Sequence, residues 1–526
     1  MGFQGFSSLL LHLLLFTSFL SLTSASKSEN FVQCLTNKVG SSVTNIIYSP
    51  SNTSYTPILD FLLLNLRYGT PTTPKPQFIV TPIRSFHIQA AVICSKKHGL
   101  QIRVRSGGHD YEGYSYVSYQ PFVIIDLYNM QDVKVDIKRN SAWVQTGATI
   151  GKVHYKIAEK SNTLGFPGSV CTTVGVGGLI GGGGLGFLWR KYGLSADNIL
   201  DARIVDVKGR LLDRKSMGED LFWAIRGGGS SSFGVVVAWK LQLVRVPPIV
   251  TVFRLPKTIE DGSVRLLHKW QNVAPQFPKD IHMLTINRVV QGEKGNKTIE
   301  TAFLAVFQGR QTNLLSLMET RFPELGLKPE NCTEMSWVNS TMFVFGLNGP
   351  VENLLNRDRG PTTYWKGGSD YVRKPISLSG LEGLWKVILE VGDEYMSGMV
   401  VTEPMGGRND EISETAIPFP HRKGNLFMVQ YNLNWLSASN SSRYLAAARK
   451  VYNFMTPFVS KSPRSSYFNY RDANLGVNKD YNTSYKEASV WGIPYFQSNF
   501  KRLAIVKRKV DPENYFWNEQ SIPLFA

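Results

Sequence analysis

Eight glycines fall within the twelve positions from Gly175 to Gly186. So dense a run is unfavourable for a long helix or strand and usually reads as a loop, because glycine loses more backbone freedom on ordering than any other residue. It suits a chain that bends tightly and offers bare main chain to a ligand. Consecutive backbone N–H groups in such loops take up the phosphates of a large anionic cofactor. Two reactive side chains sit beside glycines of this kind. His109 lies in Arg105-Ser-Gly-Gly-His109-Asp-Tyr-Glu-Gly113, and Cys171 lies 62 positions later in Gly165-Phe-Pro-Gly-Ser-Val-Cys171-Thr-Thr-Val-Gly175. Both are nucleophiles able to bond to an electrophilic ring.

A dinucleotide-binding fingerprint is the first alternative. Gly181, Gly183 and Gly186 fit G-x-G-x-x-G, which requires a strand before it and a long helix after it. Cys171-Thr-Thr-Val precedes the run, and Phe187 to Tyr192 is stopped by Gly193 after about two turns. The fingerprint therefore fails on context.

The chain has 526 residues, of which 43% are hydrophobic and 19% charged. That is globular composition, long enough for two domains or one two-lobed body. Leu9 to Leu22 is an apolar run ending at Thr23-Ser-Ala25, which reads as a secretory signal peptide over 1–25, although Lys and Arg are missing ahead of it. No later segment reaches the length of a membrane span, and no retention or lipid-anchor pattern stands at the C-terminus. Sequons at Asn52, Asn296, Asn331, Asn339, Asn440 and Asn482 agree with secretion. The expected compartment is the secretory pathway, ending in a vacuole, an ER-derived vesicle or the apoplast. The net charge of +18 raises nucleic acid as a partner, but the cations are scattered and Lys501 to Lys509 is the densest stretch. A small-molecule substrate is expected instead, with no membrane anchor and a monomeric chain.

Three parts follow along the sequence. Residues 26–247 mix short strands, helices and glycine loops, and Pro247-Pro248 closes them. Thr81 to Gly99 reads as a helix with Phe86, Ala90, Ile93 and Cys94 on its buried stripe; Gln101 to Arg105 reads as the strand leading to His109. Across 248–465, period-two strands recur, such as Thr301 to Phe307 and Asn425 to Trp435. In the latter, Phe427, Val429, Tyr431, Leu433 and Trp435 share an apolar face. Leu426, Met428, Gln430, Asn432 and Asn434 share a mixed one, suited to floor a cavity in an antiparallel sheet backed by helices. Residues 466–526 form the tail.

Five blocks, in this order and spacing, resemble the berberine bridge enzyme-like oxidases, of the vanillyl-alcohol oxidase type of FAD fold: Arg105 to Gly113, Gly165 to Asn198, Gly218 to Val237, Tyr467 to Gly476, and Asp511 to Pro523. The resemblance implies an α+β fold: a two-lobed PCMH-type FAD-binding domain plus a substrate domain whose antiparallel sheet lies over the flavin, with the tail returning to the FAD domain. It implies FAD bonded twice, through His109 and Cys171, and a disulfide between Cys34 and Cys94, with Cys332 left over. Arg105, Ser106, Gly107, Gly108 and Asp110 are implied cofactor contacts. So are Gly175, Gly177, Gly178, Gly181, Gly182, Val236, Tyr467 and Asn469. Val174 stands at the position that gates O2, and a valine there implies an oxidase releasing H2O2. No metal is implied.

Departures from the family pattern point to the substrate. Gln430 replaces the glutamate base of berberine bridge enzyme. Tyr470, in Asn469-Tyr-Arg-Asp472, matches the tyrosine base of alcohol-oxidising relatives. The tyrosine, lysine and histidine usual around it are replaced by Leu185, Met428 and Leu179. A free tyrosine has a pKa near ~10, and desolvation raises it. Alcohol oxidation needs a proton removed along with the hydride; a neutral tertiary amine does not. The expected reaction is therefore oxidation of an alkaloid amine to an iminium. Oxidation of an acidic oligosaccharide or a monolignol is the alternative within the family, and flavin binding without turnover is the alternative outside catalysis.

Overall fold

In the computed structural model, residues 30–292, 295–358, 362–392 and 396–525 are described. The leader expected at 1–25 lies outside them. The first lobe opens with Phe78–Val80 and Gln101–Arg105 pairing in parallel on either side of Phe122–Asp126, with Ile47–Tyr48 as an antiparallel edge. Phe78–Val80 and Phe122–Asp126 are buried throughout, as strands covered on both faces must be.

Helix Ser85–Lys97 covers one face of this sheet, but on a different stripe from the one read in the sequence. Ala90 and Cys94 are buried, whereas Phe86 is 44% exposed and Ile88, Ala91, Val92 and Ser95 point inward. The helix carries two overlapping apolar stripes, and the sheet accepts the one with Ile88 and Val92. Cys94 is bonded to Cys34 across 60 residues, and Cys171 and Cys332 are free. Closing a loop of that size contributes about 4 kcal/mol in the chain-entropy account.

A second, antiparallel sheet runs Val133–Asp136, Ser141–Gln145, Val235–Gln242, Ile199–Val205, Leu211–Leu212. The two glycine-bearing loops meet between these sheets. A Cβ on Gly107 would stand 2.3 Å from the Gly175 nitrogen, and one on Gly175 would stand 2.4 Å from the Gly107 nitrogen. The loops therefore touch backbone to backbone, which only glycine permits. The run then forms the short helix Val176–Gly181 and turns through Gly183 and Gly184 at φ of 124° and 90°.

The third sheet has seven antiparallel strands in the order Cys332–Met335, Val250–Thr258, Lys297–Phe307, Ile281–Gln291, Met396–Pro404, Phe427–Trp435, Tyr364–Val372. The alternation expected in the Phe427–Trp435 strand holds. Phe427, Val429, Tyr431, Leu433 and Trp435 join the core under helices Ser263–Val273, Leu378–Val391 and Ser441–Phe454. The opposite face turns toward the glycine lobe.

The tail helices Tyr485–Phe496 and Asn499–Val510 pack into the core of the glycine lobe. One buried cation ties all three parts together: Lys366 of the third sheet donates to Glu112, beside His109, and to Asp472 of the tail, the latter at 2.6 Å. Among the described residues no helix is long and apolar enough to cross a membrane. All six sequon asparagines lie at least partly exposed.

Candidate active site

The glycine lobe and the seven-stranded sheet enclose a cavity of about 570 Å³. Its first wall is largely main chain. Ser106, Gly107, Gly108, His109 and Asp110 border it from one loop; Cys171, Val174, Gly175, Gly177, Gly178, Gly181 and Gly182 border it from the other. Val236 borders it as well, together with Gly229 and Gly234. Thr173 stands between the two nucleophiles. Its Oγ1 is 3.0 Å from His109 Nε2 and 3.4 Å from Cys171 Sγ.

Gly178 shows what this wall is for. A Cβ there would meet no atom within 4 Å, so the helix presents bare backbone to open space. Gly182 is glycine for a different reason, because Asn469 Oδ1 would lie 2.0 Å from its Cβ. Asn469 Nδ2 donates to the Leu179 carbonyl at 2.9 Å and to Tyr467 Oη at 2.9 Å, and Tyr467 Oη accepts the Gly184 N–H at 2.8 Å. The tail thus fixes the glycine loop. A long groove of main chain, with an imidazole and a thiol on it, fits FAD. Arg105 alone among the expected contacts does not border the cavity. Its guanidinium donates to Asp126 at 2.7 Å and to the carbonyls of Ile58 and Leu59, bracing the strand that leads to His109.

The second wall is made of side chains. Gln430, Asn432 and Asn434 line it from Phe427–Trp435, and Met399, Val401 and Glu403 from the neighbouring strand. Gln430 Nε2 donates to Tyr111 Oη at 2.6 Å. Tyr111 stacks on Tyr470 with centroids 5.5 Å apart and meets the edge of Trp365 at 4.2 Å. Tyr467 meets Tyr470 edge-on at 5.0 Å. Burial first, then the neighbouring Tyr111, Glu403 and Tyr467, holds the Tyr470 phenol well above the ordinary tyrosine value. Burial does the same to Tyr111 and Tyr467. Leu179, Leu185 and Met428 are buried around this cluster and add no charge.

Four features of the site escaped the sequence reading: Thr173, Tyr111, Trp365 and Glu403. Glu403 is 5% exposed, and its Oε2 is 2.8 Å from His282 Nε2. His282 Nδ1 in turn accepts the indole N–H of Trp189 at 3.2 Å. Tyr111 lay in plain view between His109 and Gly113. A strand reading of Met396 to Pro404 would have put Glu403 on one face with Met399 and Val401.

With this geometry in place, comparison with known proteins is decisive. Residues 76–214 match the FAD binding domain family, and residues 466–523 match the family described as berberine and berberine like. The chain is 51% identical to tetrahydroberberine oxidase of Berberis wilsoniae, over 95% of this chain and 94% of that protein. It is 46% identical to O-acetylstemmadenine oxidase of Catharanthus roseus, over 98% and 97%. The crystal structure of Phl p 4, a grass pollen allergen with glucose dehydrogenase activity, superposes with a TM-score of 0.89 at 44% identity, over 94% of this chain and 100% of that one. An isoleucine-to-valine variant of Phl p 4 is a glucose oxidase. The chain is an FAD-dependent oxidoreductase with a PCMH-type FAD-binding fold. It belongs to the berberine bridge enzyme-like family.

Proposed function

We propose that this protein oxidises the amine of a plant alkaloid to an iminium and passes the electrons to O2, giving H2O2. One observation carries the reading: neither residue at the positions expected to supply a base can take the proton of an alcohol. Gln430 is an amide that donates to Tyr111, and the Tyr470 phenol is held protonated. An amine needs neither, since its own lone pair expels the hydride. The relatives acting on tetrahydroberberine and O-acetylstemmadenine support the same class.

When bound, FAD supplies the acceptor for the hydride and the electrons that reduce O2. His109 and Cys171 anchor it by two covalent bonds; their shared placement about Thr173 supports this. Main-chain N–H groups of the two glycine loops hold its pyrophosphate, and residues near Val236 hold its adenosine side. Val174 borders the cavity beside Cys171 and leaves room for O2. The chain divides at 247 and 465, acts as a monomer in the secretory pathway with some sequons glycosylated, and binds no nucleic acid. Oxidation of a carbohydrate or monolignol remains the second reading, favoured by the glucose activity of Phl p 4.

The test is anaerobic bleaching of the flavin by a panel of tertiary-amine alkaloids, cellodextrins, oligogalacturonides and cinnamyl alcohols. Fast reduction by an amine is expected. Reduction by a sugar or alcohol, with none by any amine, would overturn the reading.

A further inference from the structure

Two carboxylates border the cavity, and they differ in how their charge is met. Asp110 has the Arg471 guanidinium at 3.8 Å, and its Oδ1 accepts the N–H groups of Glu112 and Tyr114. Among the described residues no lysine or arginine forms an ion pair with Glu403. Its partner in register on the next strand is Met428. The nearby guanidinium of Arg190 donates to the carbonyls of Pro275, Phe277, Ile281 and Met405. What reaches Glu403 is His282, and Trp189 governs that contact. An indole N–H can only donate, so His282 Nδ1 must accept, and the ring's proton sits on Nε2, facing the carboxylate. The imidazole thus gives Glu403 a hydrogen bond without bringing a full positive charge. Among the described residues no hydrogen bond reaches Oε1 of Glu403, although the side chain lines the cavity.

A buried carboxylate with a neutral donor and an open oxygen is a site for a cation. Aromatic rings line the same cavity: Tyr470 stacks on Tyr111, and Tyr467 and Trp365 meet that pair edge-on. Aromatic faces attract cations as well.

We propose that Glu403, held by the Trp189–His282 pair, is the electrostatic partner of the positive charge that develops on the substrate nitrogen. This rests on the amine reading above. In that reaction the C–H bond pair leaves with the hydride, the nitrogen lone pair becomes the C=N bond, and the nitrogen ends with one positive charge. No proton moves. Attraction to Glu403 is weak for the neutral amine and grows as the charge forms, so it lowers the barrier more than it tightens binding. Glu403 is then a catalytic residue, and His282 and Trp189 are positioning residues.

Two measurements on the holoenzyme test this. The first is equilibrium binding of 2-methylisoquinolinium against its uncharged isostere 2-methylnaphthalene. Wild type should favour the cation by about tenfold or more, Glu403→Gln should abolish the preference, and Glu403→Asp should keep part of it. The second is anaerobic reduction by a tertiary amine. Glu403→Gln should lower the limiting rate about 10²-fold, in the range seen on losing one transition-state electrostatic partner, with little change in substrate affinity. Equal binding of the two probes by wild type overturns the proposal without recourse to any variant. So does a Gln variant that keeps the cation preference or the parent rate. A cation preference that depends on Glu403, in an enzyme that no amine reduces, supports the cation site and defeats the amine reading alone. Loss of sugar or alcohol oxidation in Glu403→Gln, with cation preference intact, makes Glu403 a proton acceptor and overturns the proposal.

Discussion

The two walls of the cavity are built from opposite materials. The cofactor wall is backbone: its specificity lies in where side chains are absent. The substrate wall is a pleated sheet whose alternate residues project inward, so its specificity lies in what the side chains are. Where the two loops touch, at Gly107 and Gly175, the backbone surface tolerates no change, because an added Cβ meets main chain that cannot move aside. A side-chain surface can exchange residues such as Gln430, Asn432 or Met399 and keep the fold. This contrast explains how alkaloid oxidases and a glucose dehydrogenase share one frame.

The sharpest way to break the contrast is to place methyl groups on the backbone wall. Gly107→Ala or Gly175→Ala drives a Cβ to within 2.4 Å of the opposing main chain. Loss of folded yellow protein is expected, read from the flavin-to-protein absorbance ratio and yield. Gly178→Ala is the control within the same wall, since its Cβ meets nothing. It should fold as well as the parent, helix propensity favouring alanine by ~1 kcal/mol, yet carry less flavin. Equal flavin content in Gly178→Ala and the parent would mean that the cofactor does not approach this helix.

The anchors come next. His109→Ala and Cys171→Ala should each leave one covalent bond, and the double variant none. Acid precipitation followed by peptide mapping reads this directly. Flavin released in full from the parent protein by acid would refute the double attachment. Val174→Leu should slow reoxidation of the reduced enzyme by air about 10²-fold, roughly 2.7 kcal/mol of barrier, and leave reduction by substrate unchanged. A leucine variant that reoxidises at the parent rate removes Val174 from the gate.

The two walls also differed in how legible they were. The cofactor wall is local in sequence: glycines cluster around His109 and Cys171, and all the expected contacts but Arg105 border the cavity. Arg105 was included as the first residue of the His109 loop, whereas it ends the preceding strand and directs its donors to Asp126 and two carbonyls. The Phe427–Trp435 strand was legible from its clean alternation. Glu403 was not. Thr402 and Ser397 sit among the apolar residues of its strand and blur the period, and its partners His282 and Trp189 lie far off in the chain. The turn of helix Ser85–Lys97 failed for a related reason. Two stripes were available, and only the sheet beneath chose between them.

The smallest expected effect falls on the residue that looks most catalytic. Tyr470 borders the cavity, stacks on Tyr111 and stands where the family resemblance expects the base of alcohol-oxidising relatives. Burial and the neighbouring Tyr111, Glu403 and Tyr467 all push its phenol above the ordinary value of ~10. The sign follows: the folded protein holds this proton more tightly than the unfolded chain does. Its contribution to stability is complete below about pH 10 and is lost only as pH climbs toward the folded value. Between pH 6 and 9, roughly the working range, Tyr470 is therefore protonated and cannot take a proton. Tyr470→Phe removes a hydroxyl that positions substrate and should lower the limiting rate of reduction about tenfold or less, against the 10²–10⁴-fold typical of a lost general base. In the same range the pH profile of reduction should follow the substrate amine's own pKa in both parent and variant. A Tyr470→Phe loss of about 10³-fold, with a parent profile independent of the amine used, would make Tyr470 the base and return the substrate wall to alcohol chemistry.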